Sequence, residues 1–83
     1  MEKLLVHLYV PALMKDYDLN IPQEVRIGTL IPVLSQGIRE LSNGQYKPSG
    51  SESLILRQAD HPLNPVHTLY EYGARDGDDL MLI

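Results

Sequence analysis

The chain contains no cysteine. That excludes disulfides, thiolate metal sites, iron–sulfur clusters and cysteine nucleophiles together, and makes a reducing cytoplasm the natural compartment. No run approaches the roughly 20 uncharged apolar residues of a membrane span, so direct membrane insertion is not expected, and the N-terminus lacks a signal-peptide pattern. Basic residues are in deficit, with seven Lys and Arg against eleven Asp and Glu and a net charge of −4. An acidic chain is a poor partner for nucleic acid or an anionic membrane surface. Lys3, Arg26, Arg39, Lys47 and Arg57 are also scattered, with no basic stripe. Internal repeats and low-complexity segments are missing too. What remains is 83 residues, 43% apolar and 22% charged. This is the composition of one small domain, residues 1–83, whose core comes from apolar packing alone.

Hydrophobic spacing divides the chain into elements. Leu4, Val6, Leu8 and Val10 alternate with Lys3, Leu5, His7 and Tyr9, the period-two pattern of a strand with one apolar face. Pro11 and Ala12–Lys15 interrupt it, and alternation resumes with Tyr17, Leu19 and Ile21 inward and Asp16, Asp18 and Asn20 in water. So short a break between two alternating runs predicts a hairpin, ended by Pro22. The period then changes: Ile27, Leu30, Ile31, Leu34, Ile38 and Leu41 form a helical stripe. Thr29 is the expected N-cap, which would put Pro32 at the third helical position, where no intrahelical N–H is required. Gly37, beside the stripe, is expected to let the helix lie close to a sheet, and Asn43-Gly44 to terminate it. Residues 45–53 have loop composition. A third strand is expected over 53–58, irregular chain or a short edge piece over 60–65, and a helical turn closed by Gly73 over 67–73. A tight turn at 76–79 then leads into a last strand over 79–83.

This order describes an α+β fold, a mixed sheet of four to five strands wrapped over one helix. The first and last strands carry the most apolar inner faces and are expected side by side in the centre, because either would be a poor edge.

At this point the chain resembles the ubiquitin-like β-grasp proteins over nearly its whole length. The resemblance is sharpest at Thr68-Leu69-Tyr70-Glu71-Tyr72-Gly73 followed by Asp76-Gly77-Asp78-Asp79-Leu80-Met81-Leu82. There Leu69 and Tyr72 would plug the core, Gly73 would take a positive φ, and the acidic turn would feed the central strand. Conjugated modifiers and sulfur carriers of this fold end in a Gly-Gly tail, and this sequence stops at Leu82-Ile83, so conjugation and sulfur transfer are not expected. The β-grasp ferredoxins need four cysteines. The run Asp18-Leu19-Asn20-Ile21-Pro22, then Ile27 to Leu30-Ile31, resembles the YukD/EsaB type. That resemblance implies a non-enzymatic cytoplasmic accessory of type VII (WXG-type) secretion, docking onto cytosolic domains of membrane-anchored machinery.

Candidate sites are weighed against simpler roles. His7, His61 and His67 lack metal-ligand spacing and read as surface, loop and turn residues. Asp76-Gly77-Asp78-Asp79 lacks the alternating oxygens and closing Glu of a calcium loop and reads as a turn. The serines sit in no nucleophile motif. No catalytic residue, metal or cofactor is therefore expected. The outer face of the sheet is different. With the first, last and third strands adjacent, Leu5, His7, Tyr9, Ile55, Arg57, Met81 and Ile83 share the side away from the helix. A wet face is ordinarily polar, so this set reads as a protein-docking patch, with Ile55, Met81 and Ile83 as anchors and Arg57 as polar selector. The simpler alternatives are side chains that merely suit strands and cover one another, or a homodimer through the same face.

Overall fold

Alternation of apolar and polar side chains produces the opening hairpin of the structure, a computed structural model that describes residues 3–83. Strand β1 is Lys3–Val10 and β2 is Lys15–Pro22. They pair antiparallel from Val10 opposite Lys15 to Lys3 opposite Pro22. The connection is Pro11–Met14, closed by the Leu13 N–H on the Val10 carbonyl (3.0 Å) and the Met14 N–H on the Pro11 carbonyl (3.0 Å). Leu4, Val6, Leu8 and Val10 are buried, as the alternation requires.

The helix α1 spans Ile27–Leu41 and starts three residues earlier than the Thr29 cap would place it. Arg26 stands at the cap position and makes no side-chain capping bond. The first amides are satisfied from elsewhere: Ile27 N–H donates to the His67 carbonyl (2.9 Å) and Gly28 N–H to the Pro65 carbonyl (2.9 Å). A distant segment thus does what a capping side chain usually does. Pro32 consequently lies inside the helix and withholds one bond from the Gly28 carbonyl. The close-packed glycine is Gly28, where a Cβ would meet Pro65 Cβ at 3.1 Å and Pro65 O at 3.2 Å. At Gly37 a Cβ would have nothing within 4 Å. Ile27, Leu30, Leu34 and Ile38 are buried, whereas Leu41 is 56% exposed. The helix ends in a Schellman motif: Gly44 N–H reaches the Arg39 carbonyl (2.8 Å) and Asn43 N–H the Glu40 carbonyl (3.1 Å). Asn43 (φ 55°) and Gly44 (φ 81°) are both left-handed.

The segment after the helix is less solvated than its composition implies. Tyr46 is buried in the core. Ser42 Oγ accepts the Tyr46 N–H (2.9 Å) and donates to the Arg39 carbonyl (3.1 Å), which turns the chain inward. Strand β3 is only Leu54–Leu56, shorter than expected, and β4 is Asp79–Leu82. β4 runs parallel to β1 and antiparallel to β3, giving a four-stranded mixed sheet in the order β2-β1-β4-β3. Residues 60–65 contribute a single bridge, Pro62 to Ile55, in place of a fifth strand.

Residues 68–73 form a turn stapled by reciprocal bonds, with Thr68 N–H to Glu71 Oε1 (2.9 Å) and Glu71 N–H to Thr68 Oγ1 (3.1 Å). Leu69 is fully buried. Tyr72 packs partly against the core, and its hydroxyl accepts the Asn64 N–H (2.9 Å). Among the described residues, no helix is long and apolar enough to cross a membrane.

Candidate functional site

The strand registers lay out the outer face as a grid. In one row Tyr9 on β1 lies beside Met81 on β4, and Met81 opposite Ile55 on β3. On the other flank Tyr9 faces Asp16 on β2. In the next row His7 lies between Asp18 on β2 and Asp79 on β4, with Arg57 beyond. An apolar row therefore runs alongside a row of alternating charge. Tyr9, Ile55 and Met81 are half-buried. A cleft of about 400 Å³ opens over them, lined also by His7, Arg57, Asp60, Asp79 and Leu80.

The sheet brings together five of the seven residues expected from sequence: His7, Tyr9, Ile55, Arg57 and Met81. Leu5 and Ile83 share the face but do not line the cleft. Leu5 lies beyond the charged row, its N–H bound to Asp76 Oδ1 (2.9 Å). Ile83 lies beyond Met81 in the other direction, paired through its backbone with Ser53. Both side chains are exposed.

His7 is gripped from both sides. Its Nδ1 is 2.9 Å from Asp18 Oδ1, and its Nε2 is 3.3 Å from Asp16 Oδ2. A neutral imidazole has one N–H and would leave one carboxylate facing a lone pair, so this geometry suits the imidazolium. The Asp18 hydrogen bond is the main reason the His7 pKa lies above its ordinary value; the Asp16 and Asp18 charges add to it, and partial desolvation opposes it. On the other flank Arg57 Nη1 bonds Asp79 Oδ2 at 3.0 Å. Asp16, Asp18 and Asp60 belong to the site although sequence reasoning did not include them. The hairpin register was the available signal for the first two, since a turn at 11–14 places His7 opposite Asp18.

The other candidates resolve into structural roles. Asp76 and Asp78 accept bonds from Leu5 N–H, Arg75 N–H (2.8 Å) and Gln58 Nε2 (3.0 Å), fixing the turn before β4. His61 Nδ1 contacts the Pro62 carbonyl, and His67 pairs with Glu71 at 3.5 Å and packs edge-on to Tyr72. Among the described residues, no three His, Asp or Glu side chains are grouped to hold a metal ion.

One helix packed against a mixed sheet of this order is the ubiquitin-like fold. The chain is similar to the ubiquitin of Caldiarchaeum subterraneum, with 16% identity over 98% of this chain and 91% of that one and a TM-score of 0.68. It is also similar to the ubiquitin-like domain of the Mycobacterium tuberculosis type VII secretion system protein EccD1 (22% identity, 100% and 99% covered, TM-score 0.66). A chain of the MycP5-free ESX-5 inner membrane complex matches as well, with 19% identity, 100% of this chain and 21% of that one covered, and a TM-score of 0.72. A family model described as WXG100 protein secretion system (Wss), protein YukD, matches residues 5–82, and the chain belongs to that family. That description ties the family to a protein secretion system. No curated protein sequence matches at a significant level.

Proposed function

We propose that this chain, as a single domain of residues 1–83, is a non-enzymatic docking component of a WXG100-type secretion system. It works in the cytoplasm, by non-covalent contact with cytosolic domains of the membrane-anchored machinery. The observation that carries this reading is the Tyr9–Met81–Ile55 row on a wet sheet face. A sheet face open to water is ordinarily polar, and a clustered apolar row with a charged border matches the anatomy of an interface. The likeness to a ubiquitin-like domain of a type VII secretion protein, and to a chain of an inner membrane complex of that system, supports the choice of partner.

Replacing Met81 or Ile55 by Asp puts a charge where an apolar anchor is buried on docking. Binding to the cytosolic domains of the machinery, measured by surface plasmon resonance, should weaken by roughly tenfold or more, as for a central interface anchor. Unchanged binding by both variants removes this face from the function.

A further inference from the structure

The border of the cleft specifies more than the presence of a partner. On the β2 side stand Asp16 and Asp18, both largely exposed and sharing one histidine. On the β3 side stands Asp60, whose carboxylate has no partner among the described residues, beside Arg57, which is paired with Asp79 of β4. Arg57 is thus offset by Asp79, and Asp60 supplies the uncompensated charge on that side. Both ends of the apolar row therefore terminate in excess negative charge. We infer that the segment docking here is a protein segment with an apolar anchor flanked on both sides by Lys or Arg. This rests on the docking reading above and specifies its partner's chemistry.

Like charges across an interface are strongly unfavourable, which argues against acidic segments and against a second copy of this chain. A symmetric dimer through this face would bring its acidic borders together in a molecule already at net charge −4. The spacing is set by the sheet. From β2 to β3 is three strand intervals, about 14 Å at ~4.8 Å each, or about four residues of extended chain. An arginine on each side of a three-residue apolar centre matches that span.

The test uses the full chain and two fluorescein-labelled peptides read by fluorescence anisotropy. Both have a leucine–tryptophan–leucine centre, flanked on each side by two arginines in one and by two glutamates in the other. The basic peptide should bind roughly tenfold more tightly, with an advantage that shrinks as salt rises from about 0.05 to 0.5 M. Asp16→Lys combined with Asp60→Lys should invert the preference. Met81→Asp should abolish binding of the basic peptide, with circular dichroism melting used to confirm that the variant is folded, and Ile55→Asp as the second apolar variant. If both peptides bind equally and Met81→Asp removes both, docking stands and the cationic partner is wrong. If binding ignores both Met81→Asp and Ile55→Asp, the docking face itself is wrong. Absence of binding by the basic peptide overturns the inference. So does a concentration-dependent dimer in sedimentation that Met81→Asp dissolves.

Discussion

His7 on β1 and Asp18 on β2 stand opposite each other across the hairpin, with Nδ1 2.9 Å from Oδ1. Asp16 closes on the other ring nitrogen, so the protonated ring cross-links the two strands through two contacts along their outer face. The same histidine borders the apolar cleft, and its protonation state sets the charge there.

The sign of the pH dependence follows. The folded-state pKa of His7 is raised above an unfolded value of about 6.5. Its stabilising contribution is complete below that unfolded value and is lost as pH rises through the folded one. Thermal unfolding followed across this window should show a decline that His7→Gln abolishes. An NMR titration of the ring placing its pKa at or below the ordinary histidine value contradicts this account.

Two helical glycines should respond in opposite ways. Gly37 has open space around a Cβ, so Gly37→Ala should raise stability by about 1 kcal/mol through helix propensity. At Gly28 a Cβ would press on Pro65 at 3.1 Å, on the segment whose carbonyls cap the helix. Gly28→Ala should forfeit that gain and lower the urea midpoint. Equal effects at both positions would mean that residues 65–67 do not cap α1.

Tyr46 provides the third test. It is 6% exposed within a stretch of loop composition. Tyr46→Ala should lower stability by about 3 kcal/mol, the range for deleting a buried aromatic. Chemical denaturation showing a loss below about 0.5 kcal/mol, the range of an ordinary surface change, would place the ring in solvent.

Most of the sheet was legible because it is locally encoded. Period-two alternation assigns the inward faces of β1 and β2, and the apolar inner residues of β1 and β4 predict their central places. The fold-level pattern at 68–82 holds down to Gly73 with its φ of 74°. What failed was encoded at a distance. Thr29 looked like the cap because a capping side chain is local, whereas the amides of Ile27 and Gly28 are satisfied by the Pro65 and His67 carbonyls. Loop composition over 45–53 gives no sign that Tyr46 is buried, and only the Ser42 bond shows how it is turned inward. For the candidate site, alternation gives the face of each residue but not its row. Leu5 and Ile83 were grouped with Met81 on face alone, and the registers set them apart from the cleft.

The measurement that tests the central claim most directly is the affinity of Met81→Asp, beside the unaltered chain, for the cytosolic domains of the secretion machinery, with the unfolding curve of each recorded in parallel. Docking through the Tyr9–Met81–Ile55 row predicts roughly tenfold or greater weakening in a variant that still unfolds cooperatively. A folded variant that binds as tightly as the unaltered chain contradicts it.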